Sequence, residues 1–266
     1  MPSLRLGNTA PDFVAETTQG PISFHEWIGD SWVCLLLSIK QSTIVNQREH
    51  LRQSCSLTLV TSPLYALLSW LKSREGTSIS LLIFKSVVNR MNRAPDFAKR
   101  NVKVIGISAN GLDDHVKWAK DIEEWGAKFA PTTVGFPIIA DQDRKISTLY
   151  DMLDEQDATN RDNKGLPFTI RTVFVIDPKK TIRLSIAYPA STGRNFDEII
   201  RVVDSLQIGD KYRVTTPVNW KKGEDVIVHP SVSNEEAKTL FPEHTVHKNV
   251  PDESAMGASI SPDLPN

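Results

Sequence analysis

The sequence predicts an α/β fold, a sheet covered by helices on both faces, and three patterns carry that reading. Residues 32–39, WVCLLLSI, and 102–108, VKVIGIS, are short continuous apolar runs of the kind buried on both sides of a sheet. Stretches 112–125 and 195–207 repeat apolar residues at helical spacing. Residues 171–177 and 181–188 alternate apolar and polar residues around Asp177, Pro178, Lys179 and Lys180, which predicts a hairpin.

Taken in order, 32–39 is the first buried strand and 102–108 the second. A helix follows over 112–125, with Leu112, Val116, Ala119 and Ile122 as its inward face. GFPIIAD, 135–141, reads as a third strand, and DRKISTLYDML after it as a helix. The hairpin comes next. Asn195 then opens a helix as N-cap, with Glu198 three residues on and Ile199, Ile200, Val203 and Leu206 turned inward. Beyond Leu206 the chain is rich in Pro and short runs, with one brief helix capped by Ser233 and Glu236. This part is expected to be a small module too thin for a core of its own. Residues 249–266 are rich in Pro, Ser, Gly and Asp and are expected to be disordered.

Composition narrows the function. With 266 residues, 24% charged and 40% hydrophobic, the chain has the make-up of a globular protein able to bury a core. The net charge of -1 offers no basic excess for nucleic acid. The six histidines are scattered without a metal-binding pattern, and no glycine-rich phosphate loop is present, so no cofactor is expected. Two cysteines, Cys34 and Cys55, argue against a disulfide-stapled fold and for a reducing compartment. That compartment is expected to be cytoplasmic, with the mitochondrion as the alternative, although no clear transit peptide is present. The charge is uneven. Lys40 to Arg93 holds 8 Lys/Arg against 2 acids, whereas the remainder is net acidic. Gln53 to Leu71 carries no charge over 19 residues, but its Ser, Thr and Pro content and its place inside an α/β domain argue against a membrane span.

Several segments resemble the 1-Cys peroxiredoxin family. They are LGNTAPDFVAETTQGPISFHEWIGDSWV, APDFAKRNVKVIGIS, RTVFVIDPKKTIRLSIAYPASTGRNFDEIIRVVDSLQ and VTTPVNWKKGEDVIVHPSVSN. The resemblance implies a thioredoxin-like fold with a small C-terminal 1-Cys peroxiredoxin domain. It sets a main domain at 4–190, interrupted at about 40–92, a C-terminal domain at 191–248, and a tail at 249–266. It also implies a thiol-dependent peroxidase that reduces hydrogen peroxide and organic hydroperoxides in antioxidant defence. The partners implied are a peroxide substrate and an external thiol reductant of glutathione or thioredoxin type. A homodimer is implied too, with neither nucleic acid nor membrane as partner.

The family's chemistry needs an acidified thiolate, supplied by a Pro-x-x-x-Thr-x-x-Cys segment directly after the strand matching WVCLLLS. Arg171 falls on the family's active-site arginine, and Arg194 on a second arginine that supports the same pocket. The cysteine segment is absent. The chain instead reads SIKQSTIVNQREHLRQSCSLTLV, and family resemblance returns only at APDFAKRNVK. Residues 40–92 are read as translated intron or frame-shifted sequence, which leaves the chain catalytically impaired. The alternative is a non-catalytic binding or dimerisation module. Cys34, in an apolar strand, is expected to be a buried and inert thiol. Cys55, with Arg52 one helical turn before it, is the candidate nucleophile by default. Some relatives also resemble a Ser/His/Asp hydrolase. His25 and Ser31 match two of those positions, but Val33 replaces a glycine and Lys179 stands at the acidic one, so a capped turn is the expected role.

Overall fold

The computed structural model describes residues 4–37, 93–127, 133–153, 165, 167, 169–189, 192–242, 245–247 and 257–260. The expectations for 40–92, including those for Cys55, lie outside the described residues. Contacts divide the chain into two units, Met1–Arg194 and Asn195–Asn266.

The first unit is a mixed sheet. Its strands are β1 (Val14–Thr17), β2 (Gly20–Ser23), β3 (Trp32–Leu37), β4 (Val102–Ser108), β5 (Ile138–Ala140), β6 (Arg171–Ile176) and β7 (Ile182–Tyr188). Among the described residues they run in the order β2-β1-β5-β4-β3-β6-β7. β3, β4 and β5 are parallel, whereas β6 is antiparallel to both β3 and β7. The helices are α1 (Phe24–Ile28), α2 (Ala94–Ala98), α3 (Leu112–Gly126) and α4 (Lys145–Leu149). This is the expected α/β architecture. Its central strands read as uninterrupted apolar runs because both faces are covered.

One face of the sheet holds the main core, where Val33, Leu35, Ile105, Ile107, Ile139, Phe174 and Ile176 pack with Phe24, Tyr150 and Met152. Phe13 stacks on Phe24 at 4.5 Å, and the Tyr150 ring meets Phe13 and Phe174 edge-on. The Tyr150 hydroxyl donates to Pro11 O at 2.7 Å, so this wholly buried phenol keeps a partner. Trp118 of α3 joins Phe136, Ile138 and Val104 in a second cluster.

Local chemistry sets the joints. Asp177 closes the β6–β7 hairpin, its carboxylate accepting from Thr181 N at 2.8 Å, with Lys180 in the left-handed region at φ 66°. α4 is capped from a distance: the Asp141 carboxylate accepts from Ile146 N, Ser147 N and Ser147 Oγ. Two ammonium groups cover the carboxyl end of α1. Lys103 Nζ donates to Trp27 O and Ile28 O, and Lys180 Nζ to Gly29 O.

The second unit contains α5 (Phe196–Tyr212), β8 (Val214–Thr215), β9 (Val226–Val228), α6 (Asn234–Leu240), β10 (Thr245–His247) and β11 (Gly257–Ile260). Asn195 caps α5 as its sequence predicts, accepting from Asp197 N and Glu198 N, and Ser233 caps α6 through Glu236 N. α5 ends by doubling back over Gly209, where a Cβ would lie 3.1 Å from Val214 O. Arg213 adopts φ 56° and donates its N–H to Gly209 O.

Several expectations are corrected. The C-terminal module does hold a core of its own: Val214, Trp220, Val226, Val228, Val232, Ala237 and Phe241 cluster with Ile208 and Tyr212. Two buried aromatic side chains and an α5 longer than expected supply the volume that short runs alone lack. Within the stretch expected to be disordered, Gly257–Ile260 pairs antiparallel with both β9 and β10. Four residues suffice for strand pairing, whatever the composition around them. On α3 the buried side is His115 and Trp118, while Val116 is 38% exposed. The larger indole outweighs a valine in choosing the inward face. Leu206 is half-buried rather than buried, and β5 is shorter than the apolar run because Pro137 precedes it.

Two substitutions test this account. The Thr172 hydroxyl is buried with no hydrogen-bond partner, and such a group costs about 1–3 kcal/mol. Thr172→Val, nearly the same shape, is therefore expected to raise the unfolding free energy by about 1 kcal/mol, read as a higher urea midpoint at unchanged slope. Asn195→Ala is expected to cost about 1 kcal/mol in the same measurement, because two α5 amides lose their acceptor.

Candidate functional site

The sheet brings three strand ends together. β3, β4 and β5 are parallel and finish on the same edge, at Leu37, Ser108 and Ala140. In open α/β sheets this carboxyl edge is where ligands bind, beside the strand from which the chain departs in two directions. β3 is that strand, flanked by parallel β4 on one side and antiparallel β6 on the other. Because β6 runs the opposite way, its first residue, Arg171, arrives at the edge where β3 ends.

Register makes the placement quantitative. Leu36 pairs with Val173 and Cys34 with Val175. Continuing the ladder sets Arg171 just past the carboxyl end of β3. Cys34 lies four residues deeper, about 13 Å along the strand. Directly opposed residues of an antiparallel pair share a face, so Arg171, Val173, Val175, Cys34 and Leu36 are on one side of the sheet. Tyr188 stands directly across from Arg171 in β7. Sequence reasoning passes over Tyr188; the signal that finds it is the pairing set by the 177–180 turn.

The state of Arg171 follows from its burial. Arg171 is half-buried, burial pulls its guanidinium pKa below the ordinary value, and its buried Nε has no partner. An unused, desolvated donor gains more than a solvated one from an incoming acceptor. Arg194, at the end of the first unit, is also half-buried, and its charge acts on Cys34.

Cys34 does not complete the site. Its side chain is 0% exposed and its thiol is free. Burial pushes the thiol up to about 12, although the charge of Arg194 pulls the other way. At neutral pH this sulfur is a thiol and not a nucleophile. The structure therefore sets Arg171 and Cys34 on one face of the sheet, with the charge of Arg194 reaching Cys34, but leaves the thiol sealed in mid-strand. Cys55, the remaining sequence candidate, lies outside the described residues.

The Ser/His pair does not meet either. His25 Nε2 is 2.8 Å from Ala10 O, and its backbone N–H donates to Asp12. Ser31 Oγ donates to Asn101 Oδ1 at 3.0 Å. Lys179 is exposed on the hairpin turn. The ring and the hydroxyl each serve the local turns around α1. Among the described residues, no group of three His, Cys, Asp or Glu side chains is placed to hold a metal ion. None of the described helices is long and apolar enough to cross a membrane.

Comparison with known proteins agrees with this architecture. Residues 87–185 match the AhpC/TSA family, and residues 205–244 match the C-terminal domain of 1-Cys peroxiredoxin. Peroxiredoxin-6 of Gallus gallus is 41% identical over 251 residues, covering 94% of each chain. Peroxiredoxin-6 of Rattus norvegicus is 42% identical over 248 residues, covering 93% of each. The chain belongs to the peroxiredoxin family. Peroxiredoxins are thiol-dependent peroxidases with a thioredoxin-like fold. Among solved structures, a cysteine-to-serine mutant of the peroxiredoxin 6 of Arenicola marina is similar, with a TM-score of 0.73 and 33% identity. It covers 97% of this chain and 98% of that one. The yeast mitochondrial 1-Cys peroxiredoxin, described with a thiol resolving mechanism via glutathione/thioredoxin systems, has a TM-score of 0.69 at 36% identity. That comparison covers 97% of this chain and 99% of the yeast chain.

The chemical state of Cys34 is directly testable. Native protein at about pH 8, where an ordinary thiol is partly ionised, is expected to leave Cys34 unmodified by an alkylating reagent. Labelling should appear, by mass spectrometry, only on unfolding.

Proposed function

We propose that the scaffold is that of a peroxidase acting on hydrogen peroxide and organic hydroperoxides, and that the chain as written is impaired at the chemical step. One observation carries this reading: Arg171 offers an unused guanidinium donor at the carboxyl end of β3, while the thiol on the same face is buried about 13 Å away. In the family's reaction a thiolate attacks one peroxide oxygen and the O–O bond breaks. Sulfur becomes a sulfenic acid, and the other oxygen leaves, protonated, as water or an alcohol. An external thiol then attacks the sulfenic sulfur and releases water. Arg171, supported by Arg194 as the family resemblance implies, would hold the departing oxygen's charge. Without an acidified sulfur beside them the first step has no nucleophile.

Residues 40–92 are the stretch held responsible. The match to the AhpC/TSA family begins at residue 87, within the last six residues of that stretch, which supports a return of family sequence near its end. The partners proposed are a peroxide and a thiol reductant of glutathione or thioredoxin type, as the name of the yeast relative suggests for that protein. A homodimer is proposed because β7 ends the sheet among the described residues and, beyond the bonds of Gly7 and Asn8 to Ile182, offers an outer side on which a second strand could pair. The free thiol of Cys34 supports a reducing, cytoplasmic setting.

Peroxide consumption by the purified full-length chain with a thiol reductant is expected to be no faster than the uncatalysed thiol reaction, and unchanged by Cys55→Ser. Rapid turnover abolished by that substitution would establish Cys55 as the nucleophile and overturn the impairment. The non-catalytic module predicts instead that no thiol ionises near neutrality in a titration of the native chain. An uninterrupted mature transcript encoding 40–92 would sink the gene-structure explanation.

A further inference from the structure

The loop from β4 to α3 carries Asn110 followed by Gly111, the single Asn-Gly step in the chain. An asparagine side chain can be attacked by the backbone nitrogen of the residue after it, and this loop favours that attack in the folded protein. Gly111 has no side chain to shield its nitrogen, and among the described residues no acceptor holds its N–H. The carbonyl to be attacked is already engaged, because Ser108 Oγ donates to Asn110 Oδ1 at 3.3 Å. The same hydroxyl accepts from Asn110 N at 3.4 Å, which fixes its place. A donor so placed stabilises the charge that builds on oxygen as a tetrahedral intermediate forms. Asn110 itself is half-buried, so its side chain is partly open to water.

The other described asparagines lack this combination. They precede Thr9, Val102, Phe196, Trp220 and Glu235, whose side chains crowd the amide nitrogen, and Trp220 N is held by Pro217 O.

We propose that Asn110 is a self-modification site, at which Gly111 N displaces the side-chain amide with the help of Ser108, and water completes conversion to a carboxylate while the protein stays folded. Gly111 N bonds to Asn110 Cγ and the Cγ–Nδ2 bond breaks. Nδ2 leaves as ammonia, taking the proton that Gly111 N gives up. One water then opens the five-membered imide. Addition at Cγ gives aspartate on the original backbone path. Addition at the main-chain carbonyl carbon gives isoaspartate, with the chain rerouted through Cγ. Nothing is oxidised or reduced, and water is the only co-reactant.

The surroundings treat the two products differently. Aspartate places its charge just ahead of α3, where the helix dipole favours an anion, although Asp113 and Asp114 in the first turn oppose it. Isoaspartate lengthens a loop that is pinned on both sides. Asp141 N donates to Ser108 O at 2.9 Å, Arg144 Nη1 donates to Ala109 O at 3.1 Å, and a Cβ on Gly111 would collide with Gln142 Nε2. The longer chain moves Gly111 and breaks that fit. Either product adds a negative charge at the carboxyl edge of the sheet, the edge at which Arg171 stands.

The test is incubation of the folded full-length chain in mildly alkaline buffer, with peptide mapping by mass spectrometry to follow the amide-to-acid change at each asparagine. A parallel sample in urea reports the unfolded reaction. Asn110 is expected to convert first among the described asparagines in the folded sample. Ser108→Ala is expected to slow the folded reaction by about fivefold, the worth of one neutral hydrogen bond in the transition state, and to leave the rate in urea unchanged. Should that variant fail to fold, the wild type decides it: conversion of Asn110 in both samples upholds the site. An Asn110 that keeps its amide in the folded chain after the urea sample has converted would overturn the proposal, as would a folded Ser108→Ala that reacts as fast as the wild type.

Discussion

The antiparallel pairing of β3 with β6 is the constraint on which the functional reading depends. It brings a residue from late in the chain to the end of an early strand, and it settles the side of the sheet on which each side chain lies. Leu36 opposite Val173 and Cys34 opposite Val175 leave no freedom for the thiol to meet Arg171. A shift of one residue would turn every side chain of β3 over and place Val33 and Leu35 outside the main core. The register that sets Arg171 past the end of β3 is therefore the same one that holds this cysteine away from it.

The acid–base balance of the site follows from solvation. Arg171 and Cys34 share a sheet face but are buried to different degrees, and the consequences have opposite chemical value. Partial burial gives the guanidinium an unspent donor in a medium of reduced polarity, which strengthens any bond it makes to oxygen. Complete burial holds the thiol neutral, and the field of Arg194 does not make up the difference. Reactive thiols in proteins need the reverse arrangement, with access to solvent and a positive environment together.

Much of the fold was legible in the sequence because the strongest signals are periodic. The runs at 32–39 and 102–108, the hairpin turn at Asp177 and the cap at Asn195 each depend on neighbours a few residues away. What escaped depends on tertiary volume. The inward face of α3 is set by where the Trp118 indole fits against Phe136 and Ile138, and the core of the second unit by Trp220 and Phe241 meeting residues of β8 and β9. The candidate site was half legible. The family resemblance pointed to Arg171 and Arg194, whereas their relation to Cys34, and the neighbour Tyr188, require strand register. His115 was invisible as a buried residue, since nothing local distinguishes a buried imidazole from a solvated one.

The parallel arrangement of β3 and β4 carries a consequence for tolerance. Parallel strands cannot be joined by a tight turn, so the chain must already travel from one end of the sheet to the other between Leu37 and Val102. The entropy of closing such a path grows only with the logarithm of its length, about 0.6 kcal/mol for each doubling. Added chain at that crossover thus weighs little against the apolar contacts of the central strands. Architecture and local chemistry are separable in such a sheet: a longer excursion at this crossover costs the scaffold little, whatever side chains that excursion carries.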